Sequence, residues 1–201
     1  MSALTALSDD ILAERAPHRF TVSDLYALVR TGVLEEGGPQ ELIEGEVVDM
    51  PADGPRHKEM SNLIGFWLYG ALAGGDYFIA ANATLVLSDV NAPSPDWQIL
   101  PRSVPVDDMK GADALLVIEQ ADSSARRDLG WKADLYARHG VRDYWVIDIG
   151  KRELHVHRDP TETGYGFRQR HGADSAVAAL LIPGLTLRLD RLGGPNRSSG
   201  G

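Results

Sequence analysis

Apolar and polar positions along the chain follow two periods, and together they predict an α/β protein. From residue 57 to residue 73, apolar side chains recur three and four positions apart, as in an amphipathic helix. Residues 115–118 are instead continuously apolar, which is typical of a central strand covered on both faces. A shorter helix is predicted to begin after Thr21, which has Asp24 three residues later, as in a capping box.

Further patterns predict hairpins and a second long helix. Residues 41–50 predict a hairpin with Glu44-Gly45 at its tight turn, and residues 141–157 predict another. Between them, a helix is expected from Ser123 or Ser124, acting as its cap, to about residue 139. Additional short strands are expected at residues 77–80, 83–87, 97–100, 167–170 and 185–189.

These elements predict one folded domain over residues 20–190. Residues 1–19 have a weak pattern and are expected to form an N-terminal arm. Residues 191–201 are rich in Gly, Ser and polar residues, so we expect a disordered tail there.

The composition supports a folded protein and excludes several classes of chemistry. Of the 201 residues, 43% are hydrophobic and 24% are charged, which is too apolar for a disordered protein. The chain has no cysteine, so disulfides, thiolate metal sites and cysteine nucleophiles are excluded. No apolar run reaches the roughly 18 residues of a membrane span, and the N-terminus lacks the pattern of a secretory signal. We therefore expect a cytoplasmic protein that has no membrane segment.

The formal charge of −9 argues against strong binding to nucleic acid, but this charge is unevenly distributed. Residues 1–125 carry 20 acids and 7 bases, whereas residues 126–201 carry 9 acids and 13 bases. An unevenly charged, solvated surface is the simpler interpretation, although a phosphate-facing patch is also compatible with it. The basic run that would form this patch is Arg126, Arg127, Lys132, Arg138 and Arg142.

Three polar residues stand where a purely structural pattern would not place them. Asp96 follows a Pro-Ser-Pro turn at the start of a strand, and Glu119 comes directly after the buried strand at residues 115–118. Lys132 falls on the apolar stripe of the next helix, so its amine is expected to point towards the sheet. A bare carboxylate in such surroundings is unfavourable, so Glu119 must be paired, metal-bound or protonated. Two carboxylates and a lysine together can cut phosphodiesters, because the carboxylates hold Mg²⁺ and the lysine positions water.

Each candidate also has a structural interpretation. Asp96 could cap its proline-rich turn, and Lys132 could pair with Asp128 one helical turn earlier. His155 and His157 alternate along a strand and could bind a metal, but without a third ligand a solvated strand face is favoured. The spacing of these residues alone therefore does not specify an enzyme.

Several motifs occur together in the order typical of one known family. In chain order they are Glu41-Leu42-Ile43-Glu44-Gly45-Glu46, His57, Ser94-Pro95-Asp96, Val117-Ile118-Glu119, and the stretches at residues 128–136 and 140–148. Over residues 18–190 the chain resembles the Uma-type restriction-endonuclease-like proteins of the PD-(D/E)XK nuclease superfamily. The resemblance implies an α/β fold with a restriction-endonuclease-like core, in which helices flank a mixed central β-sheet, together with an N-terminal helix and hairpin.

The resemblance also implies roles for individual residues. Asp96 and Glu119 match the metal-binding acids of the superfamily, and Mg²⁺, or Mn²⁺ in its place, is the implied metal. The lysine usually found two residues after that glutamate is replaced by Ala121. Lys132 on the next helix is the implied substitute.

An N-terminal acid completes the implied metal site. Glu41 and Glu46 lie on one face of the predicted hairpin, and Glu41 is the favoured ligand. Exposed charges on an edge hairpin are an equally good interpretation of both residues. His57 also matches a family position, where contact with phosphate and a structural role both remain open.

Two functions from different classes follow. The first is a Mg²⁺-dependent endonuclease that hydrolyses DNA phosphodiester bonds and binds DNA weakly and in a salt-sensitive manner, because the chain is acidic overall. A homodimer is expected, since it doubles the small basic patch and suits cleavage of both strands. The second is a catalytically silent binding or regulatory module with the same fold. An enzyme acting on small phosphate compounds is disfavoured, because the chain lacks a glycine-rich phosphate loop.

Overall fold

The structure, a computed structural model, describes residues 18–105 and 108–193. Its helices are α1 (Val22–Arg30), α2 (Pro55–Ala71), α3 (Ala125–Asp128) and α4 (Trp131–Arg138), with short 3₁₀ turns at Gly111–Asp113 and Leu189–Arg191. Its strands are β1 (Gln40–Ile43), β2 (Glu46–Asp49), β3 (Tyr77–Ala81), β4 (Trp97–Pro101), β5 (Leu116–Ala121), β6 (Asp143–Asp148), β7 (Glu153–Thr161), β8 (Gly164–Gly172), β9 (Val177–Ala178) and β10 (Thr186–Leu187).

Six of these strands form one mixed sheet in the order β3-β4-β5-β6-β7-β8. Within this sheet β5 and β6 are parallel, and the other neighbours are antiparallel. Because parallel neighbours need a crossover, the chain between β5 and β6 carries α3 and α4. The predicted α/β class and mixed central sheet are therefore confirmed.

Helices cover both faces of the sheet. On one face Ile64 and Leu68 of α2 share a core cluster with Trp145 of β6, and on the other Leu135 of α4 shares a cluster with Tyr144. Every residue of β5 and of β6 is buried, which explains the continuous apolar pattern of the predicted central strand. Polar side chains in β5 therefore need partners inside the protein.

Across residues 18–105 and 108–193, no helix has both the length and the apolar character required to cross a membrane.

The N-terminal helix and hairpin form as predicted. The hydroxyl of Thr21 accepts the Asp24 backbone N–H at 3.2 Å, and the Asp24 carboxylate accepts the Thr21 backbone N–H at 2.8 Å. This capping box begins α1. In the turn between β1 and β2, Glu44 and Gly45 have φ values of 50° and 78°. Two positive φ values in succession are what a type I′ hairpin turn requires.

The strand predicted at residues 83–87 does not form, although its apolar residues are buried. Leu85 and Leu87 donate their N–H groups to the carbonyls of Pro93 and Asn91 within an irregular loop. Pro93 and Pro95 have no N–H to donate, so a regular ladder cannot continue through this loop. The prediction was wrong because alternating apolar residues indicate which side chains are buried, but they do not indicate how the backbone groups are hydrogen-bonded.

The predicted ends of the chain fall mainly outside the described residues. Residues 1–17 of the predicted arm and residues 194–201 of the predicted tail lie there. Just before this boundary, Leu192 packs against the core after the 3₁₀ turn that ends at Arg191. Packing against the core therefore extends slightly beyond residue 190.

His157 on β7 is enclosed by aromatic rings. Its ring centroid lies 5.5 Å from that of Tyr144 and 5.6 Å from that of Tyr165, and the residue is only 4% exposed. The interpretation of His155 and His157 as a solvated strand face is therefore wrong for His157. Burial lowers the pKa of His157 to about 4.

His157→Phe is expected to reduce the loss of stability in mild acid. The unfolded chain takes up a proton here near pH 6.5, whereas the folded chain does so only near pH 4. The contribution of His157 is therefore complete above pH 6.5 and falls by up to about 3 kcal/mol as the pH drops towards 4. Urea denaturation at neutral pH and in mild acid measures this difference. An unchanged pH dependence in the variant would contradict a buried, neutral His157.

Candidate active site

The β1–β2 hairpin docks on the loop that precedes β4. Leu42 and Ala92 pair as an isolated antiparallel bridge, and the N–H of Gly45 donates to the carbonyl of Val90 at 2.8 Å. This docking places Glu41, which precedes Leu42 in β1, against the same loop.

Only one of the two candidate hairpin acids is placed inside the protein. Glu41 is 2% exposed, and its Oε1 accepts the backbone N–H of Ser94 at 3.0 Å. Glu46 lies on the same hairpin face but is exposed to solvent. The interpretation as an exposed charge therefore holds for Glu46 and not for Glu41.

Strand register brings Asp96 and Glu119 to the same end of the sheet. β4 and β5 are antiparallel with Trp97 opposite Ile118, so Asp96 lies across from Glu119. Glu119 is 3% exposed, and Oδ2 of Asp96 accepts the backbone N–H of Gln120 at 2.5 Å. The Asp96 carboxylate is thus bound to β5, and the interpretation as a cap of its own turn is wrong.

A break in the predicted long helix places Lys132. The chain forms two short helices, α3 and α4, on either side of Gly130. A Cβ at Gly130 would lie 2.7 Å from the carbonyl oxygen of Arg126, so this close approach requires glycine. The prediction of one helix was therefore wrong. Ser124 is the N-cap residue of α3, as predicted, but its hydroxyl makes no cap hydrogen bond and instead donates to Asp128.

Lys132 is buried between two carboxylates. Its Nζ lies 3.0 Å from Oε1 of Glu41 and 2.9 Å from Oε1 of Glu119, and the residue is 2% exposed. The alternative pairing with Asp128 is wrong, because Asp128 is instead paired with Arg127 at 3.0 Å. Lys132 also does not belong to an exposed basic patch, as the basic run in the sequence had suggested.

One amine therefore faces two buried carboxylates. Burial lowers the pKa of Lys132, but the charges of Glu119 and Glu41 raise it by more, so the amine stays protonated. Burial raises the pKa of Glu119 to about 8 against the opposing charge of Lys132. The causes differ, because burial dominates for Glu119, whereas the combined charges of two neighbouring carboxylates outweigh burial for Lys132.

His57, at the start of α2, contacts Asp96, the third candidate acid of the site. Its Nε2 lies 3.1 Å from Oδ1 of Asp96, and its Nδ1 lies 3.4 Å from Oδ1 of Asp53. The hydrogen bond with Asp96 raises the pKa of His57. His57 therefore joins the candidate site through Asp96, a contact that its position in the sequence did not reveal.

Tyr136 also reaches the site. Its hydroxyl donates to Oε1 of Glu119 at 3.0 Å, and the residue is fully buried. The sequence contained one indication of this position: Tyr136 comes four residues after Lys132, which puts the two side chains on one helix face. Sequence alone did not show that this face meets Glu119.

The candidate residues line one cavity of about 520 Å³, whose wall includes Glu41, Asp96, Glu119 and Lys132. Two buried side chains in this wall have polar atoms that no described residue engages. These atoms are Oε2 of Glu41 and both amide atoms of Gln120. Leaving such atoms unsatisfied is unfavourable unless something that enters the cavity binds them.

The donor set fits a hard divalent cation. Carboxylate oxygens are the ligands that Mg²⁺ prefers, and Oε2 of Glu41 is an unengaged acceptor. Within the described ranges, no three His, Asp or Glu side chains stand ready as a metal cluster. One reason is that both oxygens of Asp96 are engaged, one by His57 and one by the N–H of Gln120. The carboxylate oxygens are therefore of the kind that a divalent cation prefers, whereas their observed contacts are those of an ion-paired site.

Comparison with known proteins identifies the family. The sequence model of the Uma2 family, whose members carry the description "Putative restriction endonuclease", matches residues 23–190. The chain belongs to the Uma2 family. The family resemblance drawn from the motifs is therefore confirmed. No curated protein matches the sequence of this Uma2 chain.

The fold of the Uma2 chain is also found in a solved structure. It is similar to the crystal structure of a putative nuclease belonging to DUF820 from Anabaena variabilis, with a TM-score of 0.66. The match covers 86% of this chain and 97% of that one, at 16% sequence identity. At this identity the likeness establishes the fold alone, and that fold is the restriction-endonuclease-like one expected of Uma2.

Proposed function

We propose that this chain is a metal-dependent endonuclease that hydrolyses phosphodiester bonds in DNA. In this proposal Asp96 and Glu119 hold Mg²⁺, for which Mn²⁺ can substitute, and Glu41 completes the ligand set. Lys132 positions the attacking water. Membership of a family described as "Putative restriction endonuclease" and a fold shared with a putative nuclease support the reaction class.

The observation that carries the proposal is the burial of Lys132 beside two acids. A lysine with only a surface role would point to solvent, whereas this Nζ lies within 3.0 Å of Glu41 and 2.9 Å of Glu119. Apolar residues of similar volume often stabilise a core at least as well as a buried ion pair. A role in the chemistry of the cavity explains why charged groups occupy this position.

Each residue has a task that its position allows. The carboxylates supply oxygen ligands, and the metal would lower the pKa of water and neutralise charge on the phosphate. Two of the three N–H groups of Lys132 face Glu41 and Glu119, so the third can orient water or stabilise a phosphate oxygen. His57 holds Asp96 in place through the contact of its Nε2 with Oδ1 of Asp96.

DNA is the proposed substrate, and its binding is expected to be weak and salt-sensitive. The chain carries a formal charge of −9, so DNA phosphates approach against net repulsion. Arg127 lines the cavity, and the side chain of Arg56 on the neighbouring helix is 60% exposed. Both arginines, which are ion-paired with Asp128 and Asp122 respectively, can meet a phosphate near the site. The proposed homodimer would double them and place two sites on one duplex.

A catalytically silent binding module with this fold is the second candidate. Two observations favour it: Ala121 stands where the superfamily has a lysine, and the part of the chain that the structure describes holds no preformed metal cluster. Such a module would bind DNA or a regulatory partner and leave its phosphodiester bonds intact. Cleavage of DNA is therefore the property that separates the two candidates.

Asp96→Asn and Glu41→Gln are each expected to slow nicking of supercoiled plasmid at least about 100-fold. Each change keeps the size of the side chain and replaces an anionic ligand by a neutral amide, so the loss reports the ligand charge. Conversion of supercoiled to open-circular DNA on a gel, with Mg²⁺ or Mn²⁺ and with a chelator added, measures the rate.

Glu46→Gln is the matched control for Glu41→Gln, because the two acids share one hairpin face and only Glu46 is exposed. We expect this control to nick at the wild-type rate. Equal nicking by the wild type and Asp96→Asn would reveal a contaminating nuclease and overturn the proposal. DNA binding without nicking in the presence of either metal would favour the silent module.

A further inference from the structure

Three buried tyrosines pack together on one side of the sheet, and their hydroxyls have different partners. The ring centroids of Tyr136 and Tyr144 are 4.9 Å apart, and those of Tyr144 and Tyr165 are 6.0 Å apart. The hydroxyls of Tyr144 and Tyr165 donate to the backbone carbonyls of Asp128 and Val141. The hydroxyl of Tyr136 instead donates to a carboxylate of the candidate site.

Tyr136 and Lys132 bind the same oxygen of Glu119. The hydroxyl lies 3.0 Å and the ammonium 2.9 Å from Oε1. The two residues are one helical turn apart on α4, so one helix face presents both groups. Both of these contacts end on Oε1, and neither involves the other oxygen, Oε2. The pair therefore fixes which oxygen of Glu119 is engaged and which is left for a ligand in the cavity that Glu119 lines.

A phenol and an ammonium have different effects on Glu119. Lys132 brings a positive charge and so neutralises the carboxylate. Tyr136 brings none, because a phenol hydroxyl is a neutral donor at neutral pH. Tyr136 can therefore hold the carboxylate in one orientation while leaving its negative charge available to a cation.

We propose that Tyr136 is a positioning residue for Glu119: with Lys132 it engages Oε1 and so presents Oε2 to a divalent cation in the cavity. This inference rests on the proposed function, because it requires Glu119 to be a metal ligand. Groups that hold a metal ligand from behind typically change metal affinity or activity by about 10–100-fold when they are removed.

Tyr136→Phe tests the inference, because it removes the hydroxyl and keeps the ring. Mn²⁺ is the probe, titrated against the full chain while the free ion is followed by electron paramagnetic resonance. We expect the dissociation constant for Mn²⁺ to rise about 10–100-fold. The Mn²⁺ concentration for half-maximal plasmid nicking should rise by the same factor, with the rate largely recovered at saturating Mn²⁺. A merely structural role would lower the folded fraction without shifting the affinity per folded molecule, and thermal unfolding of the same samples gives that fraction.

Tyr144→Phe and Tyr165→Phe are the matched controls, because each removes the same hydroxyl from the same aromatic cluster without touching a carboxylate. Both are expected to leave Mn²⁺ affinity within about 2-fold of the wild type. In a Glu119→Gln background, Tyr136→Phe should have no further effect, since the tyrosine acts through Glu119.

The outcomes separate this inference from the proposed function. If the wild type binds Mn²⁺ and nicks DNA, and Tyr136→Phe behaves like Tyr144→Phe, the positioning role is overturned and the endonuclease stands. An effect of Tyr136→Phe that persists in the Glu119→Gln background also overturns it. A wild-type protein that neither binds Mn²⁺ nor nicks DNA overturns the proposed function, and the inference with it.

Discussion

Lys132→Met is expected to abolish plasmid nicking and to lower the free energy of unfolding by about 3–5 kcal/mol. The change removes the ammonium that lies 3.0 Å from Glu41 and 2.9 Å from Glu119. Two carboxylates are then left in a buried site without their counter-charge, which is far less favourable than an intact ion pair or an apolar replacement. Urea denaturation followed by circular dichroism measures the stability, and the plasmid gel assay measures the nicking.

A triple variant separates the charge effect from the chemistry. Combining Lys132→Met with Glu41→Gln and Glu119→Gln removes all three charges and keeps the side-chain sizes. Most of the lost stability is expected to return, whereas nicking is not. Nicking by Lys132→Met at the wild-type rate would contradict the assigned role of the lysine.

Lys151→Met is the matched control for this lysine. Lys151 is an exposed residue paired with Asp148, with 65% of its side chain accessible. Exposed ion pairs contribute little to stability, so only a small loss of stability is expected. A loss comparable with that of Lys132→Met would contradict the argument from burial.

Asp143→Ala is expected to destabilise the protein by about 3–5 kcal/mol, with nicking per folded molecule unchanged. The carboxylate is fully buried and accepts hydrogen bonds from Arg158 Nε at 2.8 Å, the Trp145 indole at 2.9 Å and the Leu180 backbone N–H at 2.6 Å. It thereby joins β6, β7 and the segment that follows β9. Its removal leaves a cation and two further donors without their partner. Chemical denaturation measures the loss.

Asp148→Ala, at the other end of β6, is the matched control. Asp148 accepts the backbone N–H of Lys151 at 2.9 Å. Its ion-pair partner is exposed, so we expect a cost of only about 1 kcal/mol. Equal losses for the two alanine variants would contradict the special role of Asp143.

Elements with local patterns could be predicted from the sequence. The helix expected at residues 57–73 corresponds to α2, and the capping box at Thr21 begins α1. The helix break at Gly130 could not be predicted, because it depends on the close approach of the Arg126 carbonyl. The predicted strand at residues 83–87 failed for a similar reason, since its hydrogen bonds are set by a loop and not by apolar alternation.

For the candidate site too, some features could be predicted from the sequence and others could not. Asp96, Glu119 and Lys132 could be singled out because each places a charge within or beside an apolar pattern. Their common location could not, because it depends on strand register and on a contact between Lys132 and Glu41 that spans 91 residues. The choice between Glu41 and Glu46 likewise required the docked hairpin.

The hairpin that supplies Glu41 has a consequence for the dynamics of the protein. β1 and β2 form a two-stranded sheet of their own, attached to the loop before β4 through the bridge between Leu42 and Ala92 and the hydrogen bond from Gly45 to Val90. Small units of this kind open locally at a lower free energy than the whole domain unfolds. When this hairpin opens, Glu41 leaves Lys132 while the six-stranded sheet stays folded. The candidate site then disassembles under conditions in which the amides of β5 and β6 are still protected from hydrogen exchange.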